Sequence, residues 1–325
     1  MPAARSLART ATPGTGSVLR RSHRAHTRWL ALLVAGGMSL GATAAQAWVR
    51  TRMDVTEAAF FRSSPNAVLE VATPPDSFSV APADVHAAAE TAVAAWSYPA
   101  IDCTSLALTV APGFNDRQAV AYDGHNQLII RTGAWCPNPD LSTDCQRDPN
   151  QVALTTVFSR SHPGALDDGQ ILEADIEVND VGFQWAVIPD GPINVHDYGN
   201  SYDLGSALTH ETGHFIGLAH TCESDGDPVR YDNHGDLSPY CTMLSGDDAD
   251  AILASTMYPK MNPVDVSLRS LTDDDAAAAC SLYPALPTVM GGCDVSASPG
   301  PRGGAAVAGA TAVLAFAIAR RRRAR

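Results

Sequence analysis

Five residues of this sequence have types and spacing that could do chemistry: His210, Glu211, His214, Gly217 and His220, in the run Thr209-His210-Glu211-Thr212-Gly213-His214-Phe215-Ile216-Gly217-Leu218-Ala219-His220. Residues four apart share one face of a helix, so His210 and His214 can offer two imidazoles to a single point. Glu211 then lies beside that point, close enough to take a proton from a water held there. Gly217 can stop the helix by adopting positive φ, and the chain can turn back to deliver His220 as a third nitrogen. Three imidazoles with one open position are the donor set of a catalytic zinc ion, whose fourth ligand is water. The competing reading is a helix whose histidines are merely exposed or hydrogen-bonded. Five fixed residues in a chain with only 10 histidines weigh against it.

Several elements must hold these groups in place. Ala83 to Trp96 is alanine-rich, with Val85, Ala89, Val93 and Trp96 at helical spacing and Asp84 in the first turn, which predicts a long helix with Trp96 in the core. Leu106–Val110, Gln127–Arg131, Val152–Phe158 and Ile171–Val178 alternate like strands. The histidine helix is expected to start near Asp203, with Asp203 or Ser206 as its cap. Residues 48–80, rich in proline and weakly periodic, read as an irregular or strand-like N-terminal segment and a candidate propeptide. No internal repeat is visible.

The long pattern H-E-x-x-H-x-x-G-x-x-H resembles that of the metzincin metallopeptidases. The order of a helix, a β region and a histidine helix is similar to that of the matrixins within them. The resemblance implies an α+β fold over residues 81–286. It would have a twisted, mostly parallel five-stranded sheet with an antiparallel edge strand, an active-site helix, a methionine turn and a C-terminal helix. Val152–Phe158 would be the edge strand above the cleft, able to take an extended peptide as an added strand. Ser255-Thr256-Met257-Tyr258-Pro259 resembles the matrixin methionine turn, with Met257 as an apolar floor beneath the imidazoles. Pro259 stands where some metzincin families carry a zinc-binding tyrosine, so Tyr258 is not assigned to the metal. Leu271 to Tyr283 looks like the matrixin C-terminal helix, with Asp274 and Asp275 as its acidic pair in a structural role. Two departures stand out: 36 residues separate His220 from Met257, more than matrixins place there, and the cysteine-containing latency motif is missing. The implied activity is zinc-dependent hydrolysis of peptide bonds, with His210, His214 and His220 on the metal and Glu211 as the base. The alternative is a catalytically silent metzincin-fold protein used for surface binding or adhesion.

Both ends read as addresses. Residues 1–28 carry arginines and no acids, Trp29 to Ala45 is apolar, and Ala45-Gln46-Ala47 suits a cleavage site, so 1–47 is read as a secretory signal, with a membrane anchor as the competing reading. Residues 287–325 hold Cys293, a Pro/Gly-rich spacer, an apolar run from Gly303 to Ala319 and a terminal arginine cluster. They resemble the sorting tail of myxobacterial surface proteins (the MYXO-CTERM type), which implies processing near Cys293; a simple tail anchor is the other reading. The expected location is the outer cell surface or the medium, with membrane contact only through the tail.

Between these ends, residues 48–293 carry 10 basic and 34 acidic residues, a net of −24. Such a domain repels nucleic acid, and a peptide or protein substrate and a monomeric state are expected. The six cysteines apart from Cys293 read as three disulfides. The pairing 136–145, 222–241 and 103–280 is one of 15 that six cysteines allow. Asp225, Asp227, Asp232, Asn233 and Asp236 could hold a structural calcium ion, or simply form an acidic, solvated loop.

Overall fold

A computed structural model describes residues 48–54, 56–135, 148–224 and 228–285. The signal-like stretch, Cys136 and Cys145, Asp225 and Asp227, and the tail with Cys293 lie outside the described residues. In chain order the elements begin with β1 (Val49–Arg50), β2 (Phe61–Arg62), β3 (Asn66–Val71) and helix α1 (Pro82–Ala95). Strands β4 (Ala107–Val110), β5 (Asn126–Arg131), β6 (Ala153–Ser159) and β7 (Gln170–Asn179) follow, then the short β8 (Gln184–Ala186) and β9 (Ser201–Asp203). Helix α2 (Leu204–Phe215), β10 (Leu218–Ala219), α3 (Asp247–Ala254) and α4 (Asp273–Leu282) complete the body.

The fold is mixed α/β around one mostly parallel sheet. Its strands run β4-β3-β5-β7-β6, and the two-residue β2 joins β7 beside the end of β5. All pairings are parallel except β6 with β7, and among the described residues β6 pairs with β7 alone. The stretch 48–80, read in the sequence as an irregular or strand-like segment and a candidate propeptide, supplies β3, which lies between β4 and β5 in the sheet. Removing it would strip both neighbours of a hydrogen-bonding edge. The packed body therefore starts before residue 81.

Helix α1 begins with Pro82, whose fixed φ suits a first turn, and buries Val85, Ala88, Ala89, Ala92 and Val93. Trp96 follows at its C-cap, fully buried, and its Nε1 donates to the Thr209 carbonyl of α2 at 2.8 Å. The alternation of β7 points Ala174, Ile176 and Val178 into this core. Its other face is buried as well. Glu173, Asp175 and Glu177 lie under the connection before β5, where Asp123 and Gly124 donate backbone N–H to Glu173, and Ala121 and Gln127 donate to Asp175. Burial pushes the Asp175 carboxyl up to about 6, against the N–H groups that favour its charge.

Disulfides Cys103–Cys280 and Cys222–Cys241 form as expected, and the first ties the approach to β4 to helix α4. They fit an oxidising compartment. Among the described residues no helix is long and apolar enough to cross a membrane.

Asp203 is the N-cap of α2: its Oδ2 accepts from Ser206 N at 2.7 Å, while Oδ1 accepts from Ile188 N at 3.1 Å. Arg269 grips both carboxylate oxygens, its Nε at 2.6 Å from Oδ2. Asp203 is fully buried, so removing it leaves a guanidinium without its partner as well as an uncapped helix. Asp203→Ala is expected to cost about 3–5 kcal/mol in urea-unfolding free energy; a loss below about 1 kcal/mol, the cap alone, would show that the ion pair contributes nothing.

Candidate metal centre

The centre is built on the last two turns of α2 and the reversal that follows. His210 and His214 lie one turn apart on α2, with ring centroids 4.9 Å apart. The helix ends at Phe215. Its last carbonyls are satisfied by side chains: Arg62 Nε donates to Phe215 O at 2.9 Å, and the Tyr283 hydroxyl donates to Ile216 O at 2.6 Å. Gly217 has φ +102°, and a Cβ there would stand 3.0 Å from the Phe60 carbonyl, so both conformation and space favour glycine. The chain then enters β10, which pairs with β1; Thr51 N donates to Gly217 O at 3.0 Å and Thr51 Oγ1 to Leu218 O at 2.9 Å. This N-terminal clamp fixes the strand that delivers His220. Ring centroids of His220 lie 5.2 Å from His210 and 4.8 Å from His214.

Backbone carbonyls set the tautomers. His210 Nδ1 donates to Thr256 O at 2.7 Å, and His214 Nδ1 donates to Leu218 O at 2.8 Å. A neutral imidazole with its proton on Nδ1 leaves Nε2 as a lone pair, so both rings present acceptors inward. His214 Nε2 and His220 Nε2 are 3.2 Å apart, and the ligand atoms of all three histidines lie within 4.8 Å of one another. Converging lone pairs call for a shared proton or a cation. The three histidines could hold a metal ion, and their carbonyl partners are the outer support such ligands need. Among the described residues they are the one group of His, Cys, Asp or Glu side chains close enough to do so. Asp232 in the loop proposed for calcium instead accepts backbone N–H groups from His234 at 2.8 Å and Asp236 at 2.9 Å, closing a turn.

Glu211 is buried, and Thr155 on β6 donates to its Oε2 at 2.6 Å. Burial pushes its carboxyl up to about 7 despite that hydrogen bond. Burial lowers all three histidines, and repulsion from neighbouring imidazoles adds to it at His214 and His220, taking His214 to about 3. The imidazoles are therefore neutral and ligand-ready at ordinary pH.

Beneath α2, Met257 is fully buried. A Cβ on residue 213 would fall 2.1 Å from Met257 Sδ and 3.1 Å from the Trp96 ring, so glycine is what lets the turn and α1 approach the helix. Asp275 supports that turn from α4. Its carboxylate accepts from Ser255 Oγ at 2.8 Å and Thr256 N at 3.0 Å, while forming a capping box with Thr272. The turn whose Thr256 carbonyl holds His210 is thus held by Asp275. Asp274 stands beside it, half-buried. Cys293 lies outside the described residues.

The centre opens into a cleft of about 580 Å³, walled by Asn150–Thr155 and Val157 on the β6 side and by Tyr258–Asn262 on the other. Thr155, Thr256 and the Leu218 carbonyl were not singled out in the sequence. Strand alternation could have offered Thr155, but only the register of β6 against α2 places it on Glu211.

The chain is thus a mixed α/β domain with a three-histidine centre in an open cleft. No protein-family model matches it and no curated protein shows significant similarity to it.

Two expectations follow. Without metal, the folded state resists protonating three histidines that the unfolded chain protonates near pH 6.5, so their contribution to stability is lost as pH falls through that value. Glu211, raised, acts oppositely between about 7 and its unfolded value, but it is one group against three. The melting midpoint of metal-free protein should fall from pH 7 to 5 more steeply than that of a variant with glutamine at all three histidines; equal slopes contradict it. Gly213→Ala must displace Met257, and is expected to cost about 1–3 kcal/mol and to lower metal affinity in a competition titration with a chelator.

Proposed function

We propose that the protein is an exported, zinc-dependent endopeptidase of metzincin, matrixin-like type. The observation that carries this reading is a buried glutamate set directly beside three converging imidazoles, on the floor of a cleft rimmed by a strand edge that is unpaired among the described residues. The donor set supports zinc. Zinc–imidazole bonds of about 2.0–2.1 Å in tetrahedral geometry put nitrogens about 3.3 Å apart, close to the 3.2 Å between His214 and His220. An all-imidazole set also fits a borderline-soft ion better than calcium. When bound, zinc supplies a polarised water of pKa near 7 and a Lewis acid for the substrate carbonyl.

The remaining steps belong to the chain. Glu211 takes the proton of the attacking water and passes it to the departing amine. Its raised affinity for a proton suits a group that must hold one between those two events. Thr155, donating to Oε2, keeps the carboxylate turned towards the cleft. Thr155 lies on the edge strand itself, so the strand that would pair with an extended substrate also orients the base. Met257 and Asp275 act at a distance from the reacting atoms, positioning α2 and His210. Export is supported by the two disulfides and the acidic body, beside the signal-like start and sorting-type tail.

Glu211→Ala should retain about one zinc per chain and lose peptide hydrolysis by about 100- to 10,000-fold, the usual share of a positioned general base. Metal content by atomic emission and cleavage of a mixed peptide library measure the two. Hydrolysis at the wild-type rate in the variant would remove Glu211 from the mechanism. Metal-loaded wild type that cleaves nothing would instead favour the silent, binding role.

A further inference from the structure

Nine basic residues lie among the described residues, in a body of net charge −24. Seven are tied. Arg117, Arg131, Arg160 and Arg269 pair with carboxylates. Arg50, Arg52 and Arg62 donate to backbone carbonyls. Among the described residues the side chains of the other two, Arg230 and Lys260, have no hydrogen-bond or ion-pair partner, and both line the metal cleft. Lys260 is the one lysine of the chain. Arg230 is half-buried, and its Nη1 is sealed from solvent with no partner. Its charge is felt at His214 and His220, so it stands on their side of the centre.

A buried guanidinium N–H without an acceptor carries a desolvation cost. Among the described residues no carboxylate pairs with it. The backbone around Arg230 is fixed: Arg230 N donates to the buried Glu223 carboxylate, and Cys222–Cys241 closes the loop that carries it. That loop belongs to the 36 residues inserted between His220 and Met257, so the insertion brings a cation into the cleft. Arginine presents a planar fork matched to a carboxylate, and Lys260, which also lines the cleft, adds a second positive charge.

We infer that Arg230, assisted by Lys260, recognises a carboxylate on the substrate residue next to the scissile bond, making the enzyme selective for acidic peptides. The carboxylate could be an Asp or Glu side chain or a free peptide C-terminus. This specificity rests on the peptidase reading, but the binding it invokes can be read without turnover.

The experiment uses full-length, zinc-loaded protein and four peptide series identical except near the cleaved bond. They carry Glu with an amidated end, Gln with an amidated end, Gln with a free carboxylate at the neighbouring position, and Lys with an amidated end. Dissociation constants are measured on Glu211→Ala, and kcat/KM on wild type. The expected result is a preference of on the order of 10-fold or more for a carboxylate over its amide, as a charge-assisted hydrogen bond gives. The first and third series tell a side chain from a terminus. Arg230→Gln should erase most of the preference, Lys260→Gln part of it, and Arg230→Glu should turn it towards the Lys peptide. Cleavage of Glu and Gln peptides at equal rates by wild type overturns the inference and leaves the peptidase standing. Arg230-dependent binding of acidic peptides with no cleavage of any peptide does the reverse. Because the Glu/Gln comparison is made on wild type, it decides the matter even where an Arg230 variant folds poorly.

Discussion

Lone pairs of neutral imidazoles facing one another across 3.2 Å repel until a cation or proton lies between them, and much of this fold is arranged to impose that encounter. The helix alone supplies two of the three rings. The third must be carried back against the direction of α2, which needs a residue at positive φ, a strand to fix the returning chain and partners for the exposed helix carbonyls. Gly217 provides the first, the pairing of β10 with β1 the second, and Arg62 with Tyr283 the third. The two Nδ1 protons are held by carbonyls from different sources: Leu218 comes from the reversal itself, Thr256 from a turn 46 residues downstream. That turn is held by Asp275. The centre thus reaches from β1 to α4, and it has no smaller folded unit.

How much of this could be read from the sequence follows from the range of each interaction. The spacing of His210, Glu211, His214, Gly217 and His220 is local, and helix geometry turns it into a cluster without further information. Asp203 as a cap and Trp96 as a core residue were legible for the same reason. The 103–280 and 222–241 disulfides were reachable by pairing neighbours and taking the remainder. Thr155 and the carbonyl of Thr256 were not, because each acts across a register that only tertiary packing fixes. Residues 66–71 were legible only as part of an irregular or strand-like stretch, for a physical reason: β3 sits in the sheet interior, but its Val68 face is exposed and prolines flank it. β7 was legible as a strand from its alternation, but the burial of its acidic face was not. Its alternating acids look solvent-facing, yet the connection before β5 folds over them and satisfies Glu173 and Asp175 with backbone N–H groups.

That buried acidic row bears on the cleft. A domain of net charge −24 must keep its carboxylates away from the three imidazoles if a divalent ion is to be held by nitrogen alone. Glu173 and Asp175 are held by backbone donors and Glu177 by Arg131 on the far face of the sheet, and Asp203 by Arg269 at the start of α2. Among the described residues Glu211 is the one acid that lines the cleft. The described cations divide likewise, seven tied to structure and Arg230 and Lys260 at the cleft.

The long loop after His220 then has a role that length alone does not suggest. Thirty-six residues between His220 and Met257 could have been an inert excursion. Instead Glu223 near one end holds the backbone of Arg230, Cys222 and Cys241 close the excursion, and Thr221 N donates to Met257 O at 3.2 Å where it meets the turn beneath the histidines. The loop is anchored to the floor of the centre at one end and presents a cation at its wall. A fixed cation facing a substrate path discriminates by charge without any change in the metal ligands, so on the proposed reading the chemistry resides in α2 and the choice of substrate in the insertion. These two properties can vary separately because they are carried by different segments, α2 and the loop after His220.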